Sequence, residues 1–355
     1  MRGIMLSLLL LASFLLSCSL SAEETLRDKK TDAGITLSYV VWDAYMLGID
    51  TPERIREIRA ARKRIPVIGL VSFTGVRREI HQGLLDDGRD IEYVLGEPSS
   101  PNAMHDNYQI SEVLQIARHI GLAVKIRVYH AVGLEEFAMA LRRAGQEADI
   151  VITYHSVWQG VPALAEAIAA NPKTLYIAPY AEIASRPPTG TSIQGRARHP
   201  DGTGLRNFIT TIPLSRNAKG MLLMPSRRDG NDSETINVVA PSSYAGSRGE
   251  TCPSVGVTAV VAAYIVSASP SPKTAAEEII RLMLKNASVP EQRMLSLVNY
   301  DVASVKTLRE HLRNLHDIDS TGLRRLEAEG VLDLWRIHLA IKEEAEKQAA
   351  AAERK

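Results

Sequence analysis

The chain has 355 residues, 45% of them hydrophobic and 23% charged, with 42 Lys and Arg against 41 Asp and Glu. This near-neutral balance argues against a nucleic-acid partner. The length allows one large domain or two small ones, and no internal repeat or long low-complexity linker divides it.

The N-terminus reads as an export signal. Arg2 precedes an apolar run from Ile4 to Leu16, too short to span a bilayer comfortably but suited to a signal core. The run ends Leu15-Leu16-Ser17-Cys18, which looks like a bacterial lipobox. The implied processing is removal of residues 1–17 and lipid on the Cys18 sulfur. The alternative is a secretory peptide cut near Ser21-Ala22. With Cys18 lipidated, Cys252 is the only thiol, and no intramolecular disulfide is possible.

Residues 18–59 read as a spacer and an N-terminal helix. Thr51-Pro52-Glu53 supplies a cap, a first-turn proline and an acid. One face of that helix is basic (Arg56, Arg59, Lys63) and is expected to be a solvated surface. A continuous apolar strand follows at Ile65–Val71, as in a parallel sheet buried on both faces. His105 precedes a helix through Ala117. Strands are expected at 122–129, 148–153, 174–178, 207–212, 220–224 and 236–239, with helices at 134–146 and 161–171. Pro253 opens a helix of small apolar residues that must be buried because it is apolar nearly all round. Cys252 lies at its N-terminus, where the helix dipole favours an anion and so a thiolate. Residues 275–285 form an amphipathic helix, and 305–315 and 322–355 read as helical, the last largely solvated. From 65 to 285 strands alternate with helices, which gives an α/β fold with a mainly parallel sheet.

Several of these segments resemble the subtilisin-like serine peptidases (subtilases). The strand end Val238-Val239-Ala240-Pro241 is similar to theirs, and the spacing back from Pro270 puts Cys252 at the nucleophile position, after Thr251. Glu250, Ser254 and Gly256 replace the family's Gly, Ala and Pro around it. Ser72-Phe73-Thr74-Gly75-Val76 resembles the Asp-Thr/Ser-Gly segment, with Phe73 in the Asp position in one frame and Ser72 in the other. His105 falls on the catalytic His, with Asp106-Asn107 in place of Gly-Thr. Tyr154, His155 and Ser156 fall on the substrate-cleft edge. Ala181 falls where an Asn supplies an oxyanion donor, a loss worth about 2.7–4 kcal/mol.

The resemblance covers about residues 60–305. It implies a three-layer subtilisin-like domain there, followed by a C-terminal helical tail at 306–355. No space precedes the core for a folding pro-domain of the family's kind. The expected function is a divergent envelope lipoprotein, impaired or inactive as a peptidase, that binds protein or peptide. One alternative is a peptide hydrolase using a His105–Cys252 pair. A second is a generic α/β protein binding a small ligand at the strand ends. No glycine-rich phosphate loop, CxxC or HExxH is present and the other histidines have no ligand spacing, so neither metal nor cofactor is expected.

Overall fold

The computed structural model describes residues 43–49, 51–95, 104–154, 162–179, 205–216, 222–223, 236–242, 252–269, 274–288 and 330–353. Helix α1 (Pro52–Ala60) starts as the sequence expects: the Thr51 hydroxyl accepts a hydrogen bond from the Arg54 amide at 3.3 Å. Strand β1 (Val67–Ser72) is followed by a 3₁₀ helix (Arg78–Leu84) and β2 (Asp90–Leu95). Then come α2 (Met104–His119), β3 (Lys125–His130), α3 (Leu134–Glu147), β4 (Ile150–Ile152), α4 (Pro162–Ala169) and β5 (Leu175–Pro179). The chain continues through β6 (Phe208–Arg216), β7 (Leu222–Leu223), β8 (Ile236–Pro241), α5 (Pro253–Ala268), α6 (Ala276–Asn286) and α7 (Leu334–Glu353).

Seven strands pair in parallel in the order β2-β3-β1-β4-β5-β6-β8; the short β7 pairs antiparallel with the end of β6. Strand β1 is central, with Ile68 opposite Ile126 on one side and Ile150 on the other. The pleat sends alternate residues to two cores. Ile68, Leu70, Ile126, Val128, Ile150 and Ile152 pack with α2, α5 and α6. Val71, Tyr129, Val151, Tyr176 and Phe208 pack with α3 and α4. Helices on both faces of the sheet make the three layers that the α/β rhythm predicts.

Helix α5 is buried along its length: every Val, Ala, Tyr and Ile described from Val255 to Val266 is 0% exposed. Its few hydroxyls are satisfied internally. Thr258 donates to the Ser254 carbonyl at 2.8 Å, and Ser254 bonds Thr211 on β6 at 2.8 Å.

Two regions differ from the sequence reading. No element was expected over 78–95, yet the 3₁₀ helix and β2 are there. Strand β2 is a sheet edge, and Asp90 and Glu92 break its apolar pattern as edge strands commonly do. The expected continuous helix from residue 322 does not hold over 330–333. Gly330 has φ +67°, Val331 pairs with Ser288, and the helix begins only at Leu334. A glycine in that left-handed conformation lets the chain turn and place Leu332 N–H on the Val239 carbonyl at 2.9 Å.

Candidate functional site

The strand order reverses at β1: later strands run one way from it, β3 and β2 the other. In open parallel sheets that reversal leaves a crevice beyond the carboxyl ends of the strands. Ser72 ends β1, His130 ends β3, and Tyr154 lies two residues past β4. The first turns of α2 and α5 reach the same place.

Ser72 is 0% exposed. Its Oγ accepts from the Thr74 and Gly75 amides at 3.2 and 2.7 Å. With both lone pairs so used, the hydroxyl proton goes to the Asp106 carboxylate, itself fully buried. The neighbouring Phe73 points the other way. Its ring stacks on Phe137 of α3, centroids 4.4 Å apart, and its carbonyl accepts from His130 Nε2 at 3.0 Å. The side chain that β1 offers to α2 is therefore Ser72.

Cys252 is half-buried at the start of α5, and its thiol donates to the Tyr154 carbonyl at 3.2 Å. Tyr154 is 2% exposed, so its ring belongs to the core between sheet and helices. Burial, then Glu112, Asp106 and Cys252, push the Tyr154 phenol well above its ordinary range. Glu112 lies on α2, and the Asp43 carboxylate faces it from a helical turn at 43–46. Burial first, and Asp43 second, hold Glu112 well above its usual 4.5. The α2–α5 approach is close: a β-carbon on Gly256 would lie 3.2 Å from Val113 Cγ2 and 3.3 Å from Glu112 Oε2.

The first turn of α2 is held from outside by a buried imidazole. Asn107 Oδ1 accepts from the Arg77 amide at 2.8 Å and from His81 Nε2 at 3.1 Å; Ser111 donates to His81 Nδ1 at 3.1 Å. Burial keeps His81 below its usual 6.5 and so neutral, the form that this pattern of donors and acceptors satisfies. This network was not read from the sequence, because residues 77–82 carry no helical or strand period that would have placed His81 beside α2.

The structure thus brings Ser72, Asp106, Glu112, Tyr154 and Cys252 to one mouth of the sheet. His105 heads α2, one residue before Asp106; its side chain lies outside the described residues. Cys18, His155, Ser156 and Ala181 also lie outside them. Among the described residues no group of three His, Cys, Asp or Glu side chains could hold a metal ion. The cluster can hold a thiol, a hydroxyl and two carboxyls in fixed, water-poor positions. Among these groups the thiol's hydrogen bond is to a backbone carbonyl.

The fold and this crevice define a three-layer α/β protein with a site at the reversal point of a parallel sheet. No protein-family model and no curated protein matches the chain. Similar solved structures include two proteases. The S41 psychrophilic protease is 16% identical, with a TM-score of 0.44, over 63% of this chain and 84% of that one. Sphericase is 12% identical, with a TM-score of 0.40, over 65% of this chain and 89% of that one.

Proposed function

We propose that this chain is a divergent, subtilisin-like envelope protein that binds protein or peptide and is impaired or silent as a peptidase. The observation that carries the reading is the Cys252 thiol, which donates to the Tyr154 carbonyl at 3.2 Å. A thiol nucleophile needs a base to take that proton and a positive field to hold the thiolate. At the end of β1, where the resemblance implies a carboxylate, Ser72 stands instead, spending its proton on Asp106.

The test is a labelled unfolded protein such as casein, followed by anisotropy and by gel. Saturable binding without cleavage supports the reading; absence of binding overturns it. A second reading is peptide hydrolysis by Cys252 with His105, favoured by the adjacency of His105 to Asp106, which reaches this cluster. Turnover of a fluorogenic peptide panel that vanishes in Cys252→Ala would establish that reading in place of the first. Envelope attachment through Cys18 is part of the proposal. A fatty-acid analogue should label the exported chain and not its Cys18→Ala variant.

A further inference from the structure

The sheet end opposite the site carries a cluster of exposed cations, of which Lys125 lies in the field of Asp90. There α1 ends, the 120–124 turn after α2 returns the chain to β3, and β1 and β3 begin. Arg59, Arg62, Lys63 and Lys125 are all exposed here. Arg59 and Arg62 converge on one turn. A β-carbon on Gly121 would collide with the Arg59 side chain, and Arg62 donates to the Gly121 carbonyl and, at 2.9 Å, to the Arg59 carbonyl. Neighbouring acids are mostly engaged, though Asp87 beside Gly88 is 86% exposed and only 3.4 Å from Arg89. Asp86 pairs with Arg89 and Arg118, Asp149 with Arg64 at 2.9 Å, and Asp90 with Arg78 at 2.8 Å. Among the described residues none of the four cations has a carboxylate within ion-pair distance. Ile65, 45% exposed, lies beside them against the Gly88 turn.

We propose that this face docks on an anionic phospholipid surface. A few exposed cations around one exposed aliphatic side chain suit a plane of headgroups, which takes both charge and an apolar tip. A nucleic acid would call instead for a longer basic track. Docking through the amino ends of the strands turns the crevice at their carboxyl ends away from the membrane, toward soluble protein or peptide. The inference rests on the envelope placement proposed above, and its test is separable from that of lipidation.

The full chain with Cys18→Ala, which removes acylation, is mixed with phosphatidylcholine vesicles with and without phosphatidylglycerol. The readout is the ratio of binding to the two, so charge-independent insertion of the N-terminal apolar run cancels. A preference for the anionic vesicles that weakens with added salt is expected. Lys63→Gln and Lys125→Gln, whose amines make no hydrogen bond or ion pair with another described residue, should each lower that preference about fivefold. Lys347→Gln, on the exposed end of α7, should leave it unchanged. Equal binding to both vesicles, or an equal loss with Lys347→Gln, overturns the proposal. So does displacement from the vesicles by a single-stranded oligonucleotide that binds more tightly at the same salt. A failed fatty-acid label with the vesicle preference intact would reject the anchor and keep the docking face.

Discussion

The thiol of Cys252 and the carbonyl of Tyr154, 98 positions apart in sequence, are joined by an S–H···O hydrogen bond of 3.2 Å. The bond ties the first turn of α5 to the end of β4. It needs the proton on sulfur, and it turns the sulfur toward backbone rather than solvent. Iodoacetamide at pH 7 should therefore modify native Cys252 far more slowly than Cys252 in urea, and His105→Ala should not change the native rate. Rapid native labelling that His105→Ala slows would sink this picture and restore an activated Cys–His pair.

The Ser72–Asp106 bond is fully buried and joins β1 to α2. Ser72→Ala leaves one carboxylate oxygen without its donor, at a cost of about 1.5–3 kcal/mol. Urea denaturation of Ser72→Ala, Asp106→Asn and the double variant measures it. A coupling energy near zero in that cycle would show that the pair contributes nothing.

Glu112 gives a pH signature with a definite sign. Its folded pKa is raised above the unfolded 4.5, so the folded state binds more protons in that interval. Its contribution is present below pH 4.5 and is lost as pH rises toward the folded value. Glu112→Gln should then stabilise the protein at pH 7 and flatten that part of the stability profile. A variant less stable than wild type at pH 7 would contradict the assignment.

His81 acts in the opposite direction. Its folded pKa is depressed below 6.5 by burial, so its stabilising contribution is complete above pH 6.5 and declines as pH falls. Each proton taken up on unfolding tilts the profile by about 1.4 kcal/mol per pH unit. His81→Gln should remove that tilt below pH 6.5 while costing some stability throughout. An unchanged slope would move the acid sensitivity to His119 or His338, which burial also depresses.

Gly69 sits where β1 and α3 approach most closely. A β-carbon there would lie 3.2 Å from both Ala144 Cβ and Ala148 Cβ, neither of which can rotate away. Gly69→Ala should cost about 1–3 kcal/mol by overpacking, despite its lower unfolded-state entropy. A thermal midpoint at or above that of the wild type would show that the layers can separate freely.

Much of this fold is readable along the chain, because strand and helix periods are local. The apolar run at 67–71 and the all-round apolar helix at 253–266 announce burial on both sides. The Pro253 start and the alternation from 65 to 285 come from the same information. Strand β2 is not readable, since an edge strand needs no apolar alternation. The break at Gly330 is hidden too, because a glycine's left-handed turn depends on which strand waits to receive the chain.

The site divides in the same way. The sequence by itself supplied the reactive residue types along the chain, among them Ser72, His105, Tyr154 and Cys252. Only the tertiary structure decided that Ser72 rather than Phe73 faces α2, since neighbouring strand residues point to opposite faces. It alone gave the thiol a carbonyl to bond and gave Glu112 a buried carboxylate for a neighbour. Those choices depend on distances between segments far apart in the chain, which composition and periodicity do not carry.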